Sequence, residues 1–169
     1  EFGKLESHTI AFVGDLKYGR TVHSLVKALT HFGAKLYFVA PETLQMPKYI
    51  LEDLDSLGIE YTLLNDYREI MGEIDVFYMT RIQRERFPDD EEYEKVKGVY
   101  ILNKEDVVGK AKEEMIILHP LPRVNEIAVD LDDTKHALYF KQAANGVPVR
   151  QALLSLALGY KAKLQEGDK

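Results

Sequence analysis

Short apolar runs alternate along this chain with longer segments in which apolar residues recur at helical spacing. Residues 10–13, Ile-Ala-Phe-Val, form the first run, and a short apolar run bounded by turn residues is typical of a buried strand. The next segment carries Val22, Leu25, Val26 and Leu29 at positions i, i+3, i+4 and i+7, which lie on one face of a helix. The chain therefore opens with a strand followed by a helix.

The same alternation continues along the rest of the chain. Further strands are predicted at residues 36–40, 60–63, 76–79 and 115–118. Helices are predicted at residues 47–57, 67–71, 103–112, 134–144 and 149–158, with a charged loop and helical turn at 88–97. Gly146 is expected to end the helix at 134–144. Strands that alternate with helices predict an α/β fold, a doubly wound, mainly parallel five-stranded sheet with helices on both faces, similar to the Rossmann arrangement.

The helix predicted at residues 149–158 differs from the others because apolar side chains surround it. Leucine or alanine occupies positions 152, 153, 154, 156, 157 and 158. A helix that is apolar on all sides is expected to be buried on all sides. Because no strand is predicted after it, the helix either packs across the sheet or docks on a domain outside this chain.

Composition and charge narrow the classes of function. The 169 residues suit one domain, and the net charge of −6 disfavours general nucleic-acid binding. The chain has no cysteine, which excludes disulfides, thiolate catalysis and cysteine–zinc sites. Its five histidines show none of the HxxxH or HExxH spacings of metal sites, so neither a metal nor a cofactor is predicted.

The hydropathy pattern and the first residues bear on location. No apolar run reaches the ~18 residues of a membrane span, and the first residues lack the character of a signal peptide. We therefore expect a soluble, cytoplasmic protein that binds neither a membrane nor nucleic acid. Because the first residue is Glu1 and not methionine, we also expect the chain to be part of a longer protein.

The loop after the first strand is the first candidate for chemistry. Gly14 and Gly19 have the spacing of a phosphate-binding P-loop, but Arg20 stands where that motif has lysine. An arginine at a helix N-terminus favours an anion, and it can hold a carboxylate by two parallel hydrogen bonds. The alternative is a glycine turn with a surface arginine, and Lys17 alone is typical of a solvated surface residue.

The loop after the fourth strand is the second candidate. Arg81 and Gln83 alternate with Ile82, so in an extended loop both would point to one side. Arg81 offers a second carboxylate clamp, and the Gln83 amide oxygen can accept from an ammonium group. Glu85 is placed to hold Arg81 or Arg86 by an ion pair. The alternative is a solvated charge cluster at a strand end.

The segment 119–123, His-Pro-Leu-Pro-Arg, is the third candidate and follows the fifth strand. Each proline fixes its own φ near −65° and favours an extended residue before it. A stiff loop that turns carbonyl oxygens outward suits recognition of an amino group or an amide, and the alternative is a stiff turn alone. His119 is titratable near neutral pH, but a histidine before proline at a strand end is more often a hydrogen-bonded structural residue.

The three loops follow strands one, four and five, so in a doubly wound sheet they would meet at one carboxyl edge. Two arginines for two carboxylates, with acceptors for an ammonium group, describe a dicarboxylic amino acid as ligand. No nucleophile or pair of carboxylates accompanies them. The site is therefore expected to act by positioning and electrostatic stabilisation rather than by covalent catalysis.

Several stretches resemble the aspartate-binding half of aspartate carbamoyltransferase catalytic chains. They are VGDLKYGRTVHSL at 13–25, MTRIQRER at 79–86, HPLPRVNEI at 119–127, YFKQA at 139–143, NG at 145–146 and RQALL at 150–154. The resemblance covers nearly the whole chain in order. It implies an enzyme that makes N-carbamoyl-L-aspartate and phosphate from carbamoyl phosphate and L-aspartate, a step of pyrimidine synthesis that needs no cofactor.

The resemblance implies roles for the first two candidate loops. Arg20 would bind the α-carboxylate of aspartate. Arg81 would bind the β-carboxylate, with Glu85 orienting its guanidinium. Gln83 would contact the aspartate amino group.

It also implies roles for backbone groups and for a closing surface. The carbonyls of Pro120 and Leu121 would contact the carbamoyl amide and the amino group. Lys17, Tyr18 and the acidic loop at 91–93 would serve domain closure and subunit contacts.

The chain also departs from the family it resembles. The family's carbamoyl-phosphate domain, with its Ser-Thr-Arg-Thr phosphate loop, precedes the matching region, and no such motif occurs here. Residues 1–148 would form the aspartate-binding domain, and residues 149–169 the helix that docks on the missing domain. The chain alone is expected to be inactive and to expose an apolar patch, and no catalytic residue is established in this half.

The resemblance implies several partners and leaves two other functions open. The partners are L-aspartate, the missing domain, further catalytic chains in a homotrimer, and regulatory chains as an additional candidate. One alternative is a carbamoyltransferase for another amino acid such as ornithine. The other is a non-catalytic binding or assembly module of the same fold.

Overall fold

A computed structural model of the protein describes residues 2–160. Within them, five strands form one sheet in which every neighbouring pair is parallel, in the order β3-β2-β1-β4-β5. The strands are β1 (Thr9–Val13), β2 (Lys35–Val39), β3 (Tyr61–Leu64), β4 (Val76–Met79) and β5 (Ile116–Leu118). The predicted five-stranded parallel α/β sheet is thus confirmed.

The strand order reverses between β1 and β4. From β1 the chain builds β2 and β3 on one side, and it then crosses back to add β4 and β5 on the other. β1 and β4 are paired in register from Ile10 with Val76 to Val13 with Met79. The loops that leave two such neighbouring strands diverge, and a crevice opens outside their carboxyl ends.

The helices are α1 (Arg20–Leu29), α2 (Lys48–Ser56), α3 (Asp90–Val96), α4 (Lys104–Val107) and α5 (Tyr139–Ala157). Short 3-10 turns lie at Thr30–Phe32, Glu42–Leu44, Tyr67–Ile70, Arg84–Arg86 and Val129–Leu131. The apolar face predicted for the first helix is observed, because Val22 and Val26 are fully buried. The charged segment at 88–97 forms α3, which Asp89 caps through its side chain.

The core has two layers because successive strand residues point to opposite faces of the sheet. Phe12 of β1 packs on one face in a cluster with residues of α1, α2 and α3. Val13, the next residue, packs on the other face with residues of the 67–70 turn, α4 and the start of α5. Helices therefore cover both faces, as predicted. Complete burial of a side chain such as Phe12 contributes about 2–3 kcal/mol.

The prediction of two helices after the fifth strand is wrong. Residues 134–138 form turns, with Ala137 bridging to Ile117 of β5, and a single helix α5 then runs through both Gly146 and Pro148. Neither residue prevents helical geometry. Proline fixes φ near the helical value and removes one hydrogen bond, and glycine only lowers helix propensity.

The helix predicted at 103–112 is shorter than expected. Asn103 caps it as predicted, in a capping box with Asp106, but α4 ends at Val107. Val108 is extended, and Gly109 has a φ of +79°, which favours glycine and turns the chain away from the helix.

The two ends of α5 differ in burial. Tyr139 at its start is fully buried, whereas Leu153, Leu154 and Leu156 are 61%, 64% and 65% exposed. The C-terminal part of α5 therefore does not pack across the sheet, and an apolar surface is exposed as expected. Of the segment 149–169 assigned to this helix, residues 161–169 lie outside the described residues. Within residues 2–160, no helix is long and apolar enough to cross a membrane.

Candidate functional site

A cleft opens at the carboxyl edge of the sheet, between the loops that follow β1 and β4. The loop after β5 and the region from α3 to Tyr100 complete it. Its walls are formed by Gly14, Thr80, Arg81, Ile82, Tyr93, Lys97, Gly98, Tyr100, Val124, Asn125 and Glu126. The loops after β1, β4 and β5 thus border one cleft, at the point where the strand order reverses. None of residues 119–123, which the sequence singled out in the third loop, is among its lining residues.

The floor of the cleft is a close contact between the first two loops. Gly14 has a φ of +115°, and a Cβ there would lie 2.5 Å from the Thr80 carbonyl oxygen. The backbone N–H and the hydroxyl of Thr80 both donate to the Val13 carbonyl, at 2.8 Å and 3.0 Å. Only glycine fits at position 14, and the contact fixes the start of both loops relative to each other.

The loop after β1 is folded by buried polar groups. The Asp15 carboxylate accepts from the backbone N–H of Tyr18 at 2.9 Å, and burial raises the pKa of this carboxyl. His23, in the first turn of α1, donates through Nε2 to the Leu16 carbonyl at 2.7 Å. These bonds set the loop conformation that leads into α1.

The structure places Arg20 at the first residue of α1, where it is exposed. It does not line the cleft. Its guanidinium has neither a hydrogen bond nor an ion pair with the residues that the structure describes. The Lys17 ammonium lies 5.0 Å from the centre of the Tyr18 ring, and both residues line a second pocket with Phe87.

The loop after β4 brings Arg81 into the cleft wall. Its Nη2 lies 2.8 Å from a carboxylate oxygen of Glu85, so the ion pair expected between them is present. The Gln83 amide oxygen accepts from Nε of Arg86 at 3.3 Å. Gln83 and Glu85 are therefore neighbours of the cleft wall rather than part of it.

The loop after β5 contributes Val124, Asn125 and Glu126 to the cleft, whereas Pro120 and Leu121 are not among its lining residues. The proline at position 122 led us to expect an extended Leu121, and this prediction is wrong. The φ of Leu121 is +54°, and its N–H donates to Nδ1 of His119 at 2.8 Å, so a side-chain hydrogen bond overrides the local preference.

His119 is buried and fully hydrogen-bonded. Its Nε2 lies 2.8 Å from a carboxylate oxygen of Glu126, and its backbone N–H donates to the Gln142 side chain of α5 at 2.9 Å. Burial works against the charge on Glu126, but the bonds from His119 and from nearby backbone N–H groups outweigh it and lower the pKa of this carboxyl. The structural interpretation of His119 is therefore the one that the geometry supports.

Arg123, at the end of the same loop, is held by the protein itself. Its guanidinium forms a bidentate pair with Asp132 and donates to the Tyr139 hydroxyl at 3.2 Å. Asp132 has a lowered pKa because Arg123 donates to it. Arg123 ties the loop to the start of α5.

Sequence reasoning did not single out several residues of the cleft. Lys97, Gly98 and Tyr100 come from the chain after α3, and the Tyr100 hydroxyl donates to the Asn65 carbonyl at 2.8 Å. Burial raises the pKa of Tyr100 to about 12. Gly98 was the sequence feature that could have pointed to these residues. A glycine at the end of a charged segment, followed by an aromatic residue at position 100, is typical of a turn back to the core.

Arg81 gives the cleft wall a guanidinium group, which can bind a carboxylate by two parallel hydrogen bonds. Within residues 2–160, no group of three or more histidine and carboxylate side chains is arranged to hold a metal ion. A guanidinium group such as that of Arg81 can orient a substrate and stabilise negative charge on it.

Comparison with known proteins places this architecture in a family. Residues 6–157 match the model of the Asp/Orn binding domain of aspartate/ornithine carbamoyltransferases, and the chain belongs to this family. Over 157 residues it is 56% identical to the aspartate carbamoyltransferase catalytic subunit of Brachyspira hyodysenteriae, covering 93% of this chain and 44% of that protein. The chain spans about half the length of the curated relatives that it matches.

Solved structures agree with the sequence relatives. The catalytic subunit of M. jannaschii aspartate transcarbamoylase superposes with a TM-score of 0.85 at 51% identity, over 94% of this chain and 52% of that chain. Aspartate transcarbamoylase from Trypanosoma cruzi, in complex with carbamoyl phosphate and aspartate, gives a TM-score of 0.83 at 37% identity over 91% of this chain and 51% of that chain.

Proposed function

We propose that this chain is the L-aspartate-binding half of an aspartate carbamoyltransferase. The reaction joins the carbamoyl group of carbamoyl phosphate to the amino group of L-aspartate and releases phosphate, as a step of pyrimidine biosynthesis. The observation that carries the proposal is the cleft at the β1/β4 crevice, where Arg81 lies together with residues of the loops after β1 and β5. The relatives named above support the choice of reaction.

Arg81 is the residue that we assign to the β-carboxylate of aspartate. Arg81 lines the cleft, and Glu85 holds one nitrogen of its guanidinium at 2.8 Å, which leaves the other donors for a ligand. A planar guanidinium binds a carboxylate by two parallel hydrogen bonds, which a lysine cannot do. We assign Gln83, two residues further, to the aspartate amino group.

Arg20 is assigned to the α-carboxylate. It lies outside the cleft wall, at the N-terminus of α1, where the helix dipole favours an anion. The proposal therefore requires the ligand to extend from the cleft towards α1. We assign the carbonyls of Pro120 and Leu121 to the carbamoyl amide and the amino group, and Lys17 and Tyr18 to domain closure.

The exposed apolar part of α5 is proposed to dock on a carbamoyl-phosphate domain supplied by another part of the protein. Residues 1–148 would then form the aspartate-binding domain and residues 149–169 the docking segment. An apolar surface of this extent on one helix is typical of an interface. The proposal extends to a cytoplasmic enzyme that assembles as an oligomer of catalytic chains.

Two residues, Arg81 and Pro120, argue against ornithine as the amino-acid substrate. An Arg81 clamp suits a second carboxylate and repels the side-chain ammonium of ornithine. Pro120 also differs from the ornithine enzymes, which have cysteine at this position.

The test combines this chain with a separately produced carbamoyl-phosphate half of the M. jannaschii catalytic subunit. We expect carbamoyl aspartate to form in the mixture, with neither half active alone and with no product from ornithine. In the same mixture, Arg81→Lys should raise the aspartate concentration at half-saturation about tenfold or more, because a bidentate fork becomes a point charge.

Arg84→Lys is the matched control. Arg84 lies in the same loop but pairs with Asp90 in solvent, outside the cleft. It should leave the aspartate curve unchanged. An equal effect of both substitutions, or equal use of ornithine, would contradict the proposal.

A further inference from the structure

The loop after β5 closes on itself through one imidazole and one carboxylate. Nε2 of His119 faces Glu126 at 2.8 Å, and Nδ1 of His119 accepts from the Leu121 N–H at 2.8 Å. The other carboxylate oxygen of Glu126 accepts from the N–H groups of Val124 and Asn125, each at 3.1 Å. His119 and Glu126 are 1% and 7% exposed. This network holds both ends of a loop that borders the cleft.

The hydrogen bond from Leu121 has a consequence for the neighbouring carbonyl. The N–H of Leu121 and the C=O of Pro120 belong to one planar peptide unit. Within residues 2–160 the cis bond is Leu121–Pro122, so the Pro120–Leu121 unit is trans and its N–H and C=O point in opposite directions. Because the N–H is directed at the His119 ring, the Pro120 carbonyl is directed away from it.

The same bond fixes the position of the proton on His119. A ring nitrogen that accepts from an N–H carries no proton, so Nδ1 is unprotonated and Nε2 holds the hydrogen that is donated to Glu126. A proton on Nδ1 would place two N–H groups against each other and release the Leu121 amide. One tautomer of one buried ring is thus linked to the direction of one carbonyl.

We propose that His119 is a positioning residue, whose neutral Nε2–H tautomer aims the Pro120 carbonyl by holding the Leu121 N–H, while Glu126 holds the tautomer. The inference rests on the proposed function, because that function assigns the Pro120 and Leu121 carbonyls to the reacting groups. His119 acts through the backbone and does not itself touch the substrate.

The first test uses the wild-type chain without any ligand. Two-bond ¹H–¹⁵N correlation spectra of the histidine rings at neutral pH should show a proton on Nε2 of His119 and none on Nδ1. A scalar coupling across the hydrogen bond should connect Nδ1 with the Leu121 amide nitrogen. A proton on Nδ1, or an imidazolium, would overturn the proposal.

Two substitutions distinguish a role of His119 in positioning the Pro120 carbonyl from a role in stabilising the fold alone. Asparagine places its amide oxygen near the position of Nδ1, and glutamine places its amide near that of Nε2. His119→Asn should keep the Leu121 N–H protected from hydrogen exchange. His119→Gln should keep a partner for Glu126 and yet lose Leu121 protection by about tenfold, since the loss of one hydrogen bond is of this order.

Activity of the two-half mixture provides the functional readout. His119→Gln should raise the aspartate concentration at half-saturation about tenfold, and His119→Asn by less than about threefold. Equal losses in the two variants would mean that His119 only supports the fold, and would overturn the inference. A wild-type mixture without activity would contradict the proposed function, whereas the spectra and the exchange data would still decide the role of His119.

Discussion

Two segments border the cleft, and the protein holds them in opposite ways. Residues 119–126 are fixed by the buried pair of His119 and Glu126 and by backbone N–H groups that donate to the same carboxylate. Residues 81–97 are linked by ion pairs such as Arg84 with Asp90, whose side chains are 65% and 71% exposed. A buried hydrogen-bonded group is costly to break because its partners are left without a hydrogen bond, whereas an exposed ion pair contributes little.

The difference indicates that residues 119–126 form a fixed wall of the cleft and that residues 81–97 form an adjustable wall. In α3, all of which is described, only Val96 is buried. Phe87 connects the helix to the loop after β1 through ring contacts with Tyr93 at 5.6 Å and Tyr18 at 6.1 Å. Segments with few buried contacts open most easily, and such segments are the ones that close over ligands. The fixed wall can present aimed backbone groups, and the adjustable wall can adapt to the bound ligand.

The largest expected effect comes from breaking the fixed wall. Glu126→Ala leaves the Nε2–H of His119 and two backbone N–H groups without their acceptor. We expect the free energy of unfolding, measured by urea denaturation, to fall by about 3 kcal/mol. Glu85→Ala, in the adjustable wall, should lower it by no more than about 0.5 kcal/mol. Similar losses of unfolding free energy in the two variants would contradict the distinction between a fixed and an adjustable wall.

The attachment of the fixed wall to α5 should give the next largest effect. Asp132→Asn weakens the bidentate partner of Arg123, whose side chain is only 15% exposed. The free energy of unfolding should fall by about 2 kcal/mol. Asp90→Asn is the matched change in the adjustable wall and should cost about 0.5 kcal/mol or less. Thermal melts of the two variants side by side would test the comparison.

Acid should loosen the fixed wall. The pKa values of Glu126 and Asp132 are lowered in the folded state from 4.5 and 3.8. Their stabilising contribution is therefore complete above the unfolded values and is lost as the pH falls through the lower folded values. The pKa of Asp15 is raised by burial, so its protonation acts in the opposite direction.

The measurement is the urea midpoint followed from about pH 6 to about pH 2, where stability should fall. Glu126→Gln should make the decline shallower, because the variant has no carboxyl to protonate at that position. If the urea midpoint of the variant fell with pH as steeply as that of the wild type, the charge on Glu126 would not contribute to the stability of the fold.

The smallest effect needs no substitution. We expect the backbone amides of α3 to exchange with solvent at least about tenfold faster than those of Leu121, Val124 and Asn125. Hydrogen exchange read by NMR on the wild-type chain gives the comparison residue by residue. Equal protection of the two segments would argue against an adjustable wall.

The sheet and the placement of the three loops were predictable because they depend on local patterns. Apolar runs such as residues 10–13 allow little besides buried strands, and parallel strands bring their carboxyl ends to one edge. Arg81 followed from the same logic. The long helix α5 was not predictable, since Gly146 and Pro148 are helix breakers by local propensity and yet the helix continues through them.

The conformation of the loop after β5 was also beyond the sequence. The rule for a residue before proline favours an extended Leu121, and the structure gives it a φ of +54°. The deciding group is the ring of His119, whose second nitrogen is held by a carboxylate seven positions along the chain from it. Local rules describe what a residue prefers alone, and they do not include a partner that folding brings to it.

By itself, the sequence determined the α/β class, the alternation of strands and helices as far as β5 and the resemblance to the carbamoyltransferase family, because these depend on the spacing of apolar residues and on contiguous motifs. Only the tertiary structure decided that Arg20 lies outside the cleft wall, that Arg123 is bound by Asp132, and that His119 is a buried, hydrogen-bonded residue. Those outcomes depend on distances between residues that the chain brings together only on folding.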